Sequence, residues 1–113
     1  MKFFKIEEFA CKCCGQVAMK EDFLNKLDLA RGLAGTPFSI NSGYRCPEHN
    51  AAEKGDPDNH PRGWAADIDC FIGPLRLLIV KGLLDAGFTR IGISKDFIHV
   101  DRHPTKPKSI WLY

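Results

Sequence analysis

The sequence predicts an α+β fold in which helices pack on a small, mainly antiparallel sheet. Three observations predict it. Two segments repeat apolar residues at three- and four-residue spacing. Several short runs alternate apolar and polar residues. Clusters of Gly, Pro, Asp and Asn punctuate the chain between them. With 113 residues and no repeat or linker, the chain is expected to form one domain over residues 1–113. A chain of this length can build one core without obligatory staples.

The first helix is predicted over residues 20–34. Phe23, Leu24, Leu27, Ala30 and Ala34 share a face, Glu21 and Asp22 suit the first turn, and Gly35 and Pro37 stop it. "FSIN" is a short strand, followed by the turn "SGYRCP". "PEHNAAEK" reads as a short helix starting on Pro47. "GDPDNHPRG" is a loop. "WAADIDC" alternates: Trp64, Ala66 and Ile68 point one way, and Ala65, Asp67 and Asp69 the other. Gly73 and Pro74 open a second helix that Gly87 closes. "RIGIS" and "FIHVD" form a strand pair about "KD", with Phe97, His99 and Asp101 on one face of the second strand. "SIWLY" is a final strand.

Composition excludes several classes. The chain is 44% hydrophobic and 27% charged, which is ordinary for a globular protein. The net charge of +2 comes from scattered positive residues, not from the basic stripe that nucleic-acid binding requires. The longest apolar stretch, "LRLLIVKGLL", is too short and too interrupted to span a bilayer. Glu7 and Glu8 interrupt the N-terminus before any signal-like apolar run, so synthesis in the cytoplasm is expected, with another route needed to any external target.

The five cysteines are Cys11, Cys13, Cys14, Cys46 and Cys70. An odd number argues against a complete disulfide framework. Cys11 and Cys14 have the C-x-x-C spacing of a zinc or redox pair. No second C-x-x-C exists to complete a four-thiolate site, so the cysteines are read as small buried thiols in a mostly reduced protein.

His60, Asp67 and His99 are candidates for a metal site: a loop histidine, a strand aspartate, and a histidine on a distant strand. Zinc hydrolases use three protein ligands and keep a fourth position for water. Histidine and carboxylate suit that ion. Residue type and spacing alone also allow a turn-binding Asp67, a hydrogen-bonded core His99 and a surface Arg45.

The ordered motifs "SGYRCPEHN", "HPRGWAADID" and "FIHVD" resemble the zinc D-alanyl-D-alanine carboxypeptidase family of peptidoglycan peptidases, which shares its core fold with the hedgehog signalling domain. The opening "FKIEEFAC" is similar to that of small single-domain members, often phage-encoded. The resemblance covers nearly the whole chain. It implies zinc (Zn2+) held by His60, Asp67 and His99. It implies Arg45 as the residue that binds substrate and polarises the scissile carbonyl, and Asp96, three residues before the last ligand, as the general base. Strand parity objects to Asp96 unless it lies in a turn or bulge. Asp101 shares the face of His99 and is assigned to orienting a ligand.

Two features depart from the family pattern. Asp58 and Asn59 stand where a small hydroxyl residue often precedes the first ligand. Ser94 stands where some members have a histidine. His49 is read as a helix-surface residue and His103, before Pro104, as solvent-facing.

The expected function is therefore a zinc metallopeptidase acting on peptidoglycan stem peptides. It would be a carboxypeptidase or a murein endopeptidase, monomeric, without nucleic-acid partners, and of the kind found in phage lysis. The alternatives are a non-catalytic zinc- or wall-binding module of the same fold, and a thiol-redox protein built on Cys11 and Cys14. The latter lacks the βαβ order of the thioredoxin fold around its cysteines.

Overall fold

The structure is a computed structural model that describes residues 1–113. Helix α1 spans Glu21–Ala34 and ends on Gly35, whose left-handed backbone lets its N–H return to the Arg31 carbonyl. Strand β1 is Ile40–Ser42, and helix α2 is Pro47–Ala52. A 3-10 turn at His60–Arg62 closes the loop and leads into β2, Ala65–Asp69. Helix α3 is Gly73–Asp85, followed by β3 (Arg90–Ile93), β4 (Phe97–Asp101) and β5 (Ser109–Leu112).

The five strands form one sheet in the order β1-β2-β4-β3-β5. Every neighbouring pair is antiparallel except β3 and β5. The fold class expected from the pattern is the one observed. The parallel β5 had no local signal, because the partner of a terminal strand depends on where the long 102–108 connection carries it.

The two sheet faces have opposite chemistry. Ala66, Ile68, Ile91, Ile98 and Val100 point into a core completed by Phe23, Leu24, Leu27 and Ala30 of α1 and Ile79 and Leu83 of α3. Asp67, His99 and Asp101 alternate with these apolar residues, so they lie on the other face. A one-residue slip would exchange the two sets, so burial of the apolar face fixes which acids and histidines meet.

The N-terminal segment is held by a buried carboxylate that the helical pattern does not explain. Asp28 lies on α1 and accepts the backbone N–H groups of Lys2, Phe3 and Phe4 at 2.9, 2.8 and 3.1 Å. Phe4 then packs edge-on against Phe9 in the core. Burial pushes the Asp28 carboxyl up, but the three N–H donors outweigh it and hold the group below the usual carboxylate range. A depressed folded value gives stability that is present above the ordinary carboxylate value and lost as pH falls through the folded one. Asp28→Ala is expected to cost about 1.5–3 kcal/mol near neutral pH. The gap to the parent should shrink below about pH 4. Urea melts at pH 7 and pH 3 check this, and an equal gap at both would contradict it.

Candidate metal centre and active site

Asp67 of β2 and His99 of β4 are cross-strand partners, and His99 Nδ1 donates to Asp67 Oδ1 at 2.8 Å. His60 approaches from its 3-10 turn, placing Nε2 3.5 Å from Asp67 Oδ2. All three side chains are buried, and one ligand atom from each lies within 4.8 Å of the others. The ligands therefore come from a loop and two paired strands, and the β2–β4 ladder fixes two of them.

The surrounding residues determine which atoms can bind. His60 Nδ1–H donates to the Gly43 carbonyl at 2.7 Å, so Nε2 is the free nitrogen. His99 Nε2 donates to Asp101 Oδ2 at 2.7 Å, so Nδ1 is the nitrogen left to a metal. Asp101 is itself held by Arg90 Nε at 2.7 Å and by the His103 backbone N–H at 2.9 Å. Once His99 Nδ1 has lost its proton, two imidazole nitrogens and a carboxylate oxygen, each backed by a second hydrogen bond, fit the donor set of a catalytic zinc.

The electrostatics follow from burial opposed by partners. Burial raises the Asp67 carboxyl, and the bonds from His60 and His99 bring it well below the ordinary range. Burial likewise raises Asp101, and His99, Arg90 and the His103 N–H bring it down to about 2. Burial lowers His99, but its bonds to Asp101 and Asp67 raise it above the ordinary value. A ligating histidine must be neutral, so His99 gives up its Nδ1 proton on binding metal.

Arg45 is clamped beside this cluster. Its Nε donates to Ser42 Oγ at 2.9 Å, Nη1 to Asn50 Oδ1 at 3.3 Å and Nη2 to Asp67 Oδ2 at 3.0 Å. Each residue of "SGYR" thus has a task. Ser42 orients the guanidinium, and Gly43 supplies the carbonyl that holds His60. The Tyr44 N–H bonds the Phe9 carbonyl at 2.9 Å. A Cβ at Gly43 would meet the Phe9 Cα at 2.7 Å, so only glycine fits there.

The cluster opens on a cavity of about 600 Å³. Lys54, Lys106 and Arg90 line it with Asp56 and Glu53, and Phe97, Trp111 and Tyr113 add aromatic wall. Asp96 does not line it. It lies in the bend just before β4, exposed, and its carbonyl accepts the Cys70 N–H at 2.9 Å. The structure thus places Asp96 in the turn that parity required, yet does not bring its carboxylate to His60, Asp67 and His99.

Three histidine and cysteine expectations change. His103 is half-buried, and its Nδ1 accepts the Thr105 and Lys106 N–H groups, so it caps the turn after β4 and does not face solvent. His49 is not a free helix-surface residue, because its Nδ1 lies 3.5 Å from Cys11 Sγ. Only Cys11 and Cys70 are buried thiols; Cys13 and Cys14 are exposed, and Cys46 is half-buried. Burial raises the Cys11 thiol, but donors led by the Cys46 N–H and the His49 ring lower it to about 5. Next to the first ligand, Asn59 is buried with its Oδ1 unpartnered.

The Peptidase M15 family model matches residues 2–101. The chain belongs to the M15 peptidase family. Its members are zinc D-Ala-D-Ala carboxypeptidase-like peptidases, so this M15 chain is a metallopeptidase by class, and zinc is the family's metal. No curated protein and no solved structure matches the chain. No helix of the M15 chain is long and apolar enough to cross a membrane.

If the three buried ligands act together, His99→Ala should remove about one zinc per chain, because two ligands hold a catalytic zinc poorly. Zinc binding to the folded state alone should also raise the melting temperature of the parent by several degrees over chelated protein. Elemental analysis and thermal melts check both. Equal zinc content in parent and His99→Ala would contradict the assignment.

Proposed function

We propose that residues 1–113 form one zinc peptidase domain that hydrolyses peptidoglycan stem peptides, with His60, Asp67 and His99 as the metal ligands. The observation that carries this reading is the buried His-Asp-His set with a clamped arginine beside it, at the floor of an open cavity. Zinc, when bound, supplies a Lewis acid that polarises the scissile carbonyl and activates a water. The chain's own residues do the rest.

Arg45 is the substrate-binding and charge-stabilising residue. A guanidinium carries five N–H donors. Three go to Ser42, Asn50 and Asp67, which leaves two for a substrate carboxylate or developing oxyanion. Because its guanidinium is held by Ser42, Asn50 and Asp67, little reorganisation is needed when charge develops. Lys54 in the cavity lining suits an anionic stem peptide, while Lys106 is engaged by Asp56. The aromatic wall formed by Trp111 and Tyr113 suits the apolar faces of its alanyl residues.

Asp96 is the proposed proton shuttle, taking a proton from the attacking water and passing it to the leaving amine. To do so its carboxylate must swing past Phe97 into the cavity, by movement of the two-residue bend that carries it. Asp101 orients His99 through Nε2 and is not a shuttle. The substrate is the D-alanyl terminus of a stem (carboxypeptidase) or a crosslink between stems (endopeptidase). The proposed setting is a monomeric lysis enzyme of the phage type, an inference from the type of family and not from any residue. The exposed place of Asp96 favours a second reading, a non-catalytic zinc- or wall-binding module that keeps the ligands without the base.

Mass spectrometry of muropeptides digested by the zinc-loaded protein separates these readings. Loss of terminal D-Ala marks a carboxypeptidase, and conversion of crosslinked dimers to monomers marks an endopeptidase. Zinc bound at His60, Asp67 and His99 with no product marks the module. Asp96→Asn should lower turnover by about 10²–10⁴-fold with zinc retained. Asp101→Asn should weaken zinc affinity by about 10–100-fold, with activity partly restored by added metal. An active Asp96→Asn variant would remove Asp96 from the mechanism.

A further inference from the structure

A second group of metal-ligand side chains lies outside the cavity. The sulfurs of Cys11, Cys14 and Cys46 are within 4.8 Å of one another. His49 stands one helical turn after Cys46, and its Nδ1 is 3.5 Å from Cys11 Sγ. Its other nitrogen, Nε2, faces Glu53 Oε1 at 3.4 Å. A carboxylate on one ring nitrogen keeps the proton there and frees the other for a ligand, as carboxylates do behind metal-bound histidines.

The three sulfurs lie within 4.8 Å of one another and His49 Nδ1 stands beside one of them, Cys11, so the imidazole must shift toward Cys14 and Cys46 to share an ion with all three. Tetrahedral zinc, with Zn–S of about 2.3 Å and Zn–N of about 2.0 Å, sets two sulfurs about 3.8 Å apart and a sulfur and a nitrogen about 3.5 Å apart. The backbone is arranged for thiolates as well. The Cys46 N–H donates to Cys11 Sγ at 3.4 Å, and the His49 N–H donates to Cys46 Sγ at 3.4 Å. Gly15, at φ +74°, closes the Cys11–Cys14 turn by donating its N–H to the Cys11 carbonyl at 2.7 Å. A pair serving only as a dithiol would need neither the third sulfur nor the imidazole.

We propose that Cys11, Cys14, Cys46 and His49 form a structural zinc site that ties the N-terminal segment to the turn bearing Arg45. The spacing is C-x-x-C in the first segment and C-x-x-H in the second. Four protein ligands leave no position for water, so the site is structural and not catalytic. Cys46 follows Arg45 directly, and Tyr44 bonds Phe9 just before Cys11, so the ion would brace both ends of one connection. Cys13 is the exposed thiol left over.

Cobalt is the probe that separates this site from the cavity, because thiolate-to-cobalt charge transfer absorbs in the near ultraviolet and the cavity site has no sulfur ligand. The full chain, purified under reducing conditions and loaded with Co2+, should show that absorption. The His99→Ala variant should show it too, so failure of the cavity assignment leaves this result readable. Cys14→Ser should lose most of it and about one equivalent of bound zinc per chain, the occupancy of one four-ligand site. Cys14 is exposed, so this change opens no cavity in the core. His49→Ala should weaken the site, and His49→Cys should restore it. Absence of the charge-transfer absorption in the parent would overturn the proposal. So would its survival unchanged in Cys14→Ser, or a disulfide among these cysteines whose reduction is followed by no metal uptake.

Discussion

The site depends on one pairing, Asp67 of β2 opposite His99 of β4. That register is set on the far side of the sheet, where Ile68 opposite Ile98 and Ala66 opposite Val100 pack under α1 and α3. The hydrophobic effect favours one register because only one buries the apolar face. The polar face follows without choice, and it carries the carboxylate and the imidazole side by side. Everything else in the site is arranged around this pair. His60 and Arg45 converge on Asp67, and Asp101 with Arg90 supports His99.

Such a cluster is costly to bury, and its completeness makes burial tolerable. Asp67 is met by a guanidinium and two imidazoles, and Asp101 by an imidazole, a guanidinium and a backbone N–H. A buried charge that loses its partner costs several kcal/mol, more than the pair contributes while intact. The same logic explains why the "SGYR" turn is so constrained. Ser42, Gly43 and Arg45 each satisfy a group of the cluster, and Tyr44 fastens the turn to the N-terminal segment. The turn is a support for the metal centre as much as a source of the substrate-binding arginine.

Much of the fold was legible because it follows from period and punctuation. The bounds of α1 and α3 follow from apolar spacing and flanking glycines, and β2 and β4 from strict alternation. What was not legible depends on tertiary closure. The partner of β5 is chosen by a connection with no pattern of its own. The role of Asp28 is invisible because its partners are backbone N–H groups more than twenty residues away. The contact of His49 with Cys11 was not legible, because nothing local shows that α2 faces Cys11. Asp96 shows the reverse limit: its place in the turn was legible, but the direction of its carboxylate was not.

One zinc held by His60, Asp67 and His99 would join the sheet to the loop. The most direct measurement is anomalous scattering at the zinc edge from crystals of the full chain grown with zinc. A peak is expected in contact with His60 Nε2, an Asp67 carboxylate oxygen and His99 Nδ1, at about 2.0–2.2 Å from each. No peak there, with Asp67 still engaged by Arg45 and His99, would contradict it.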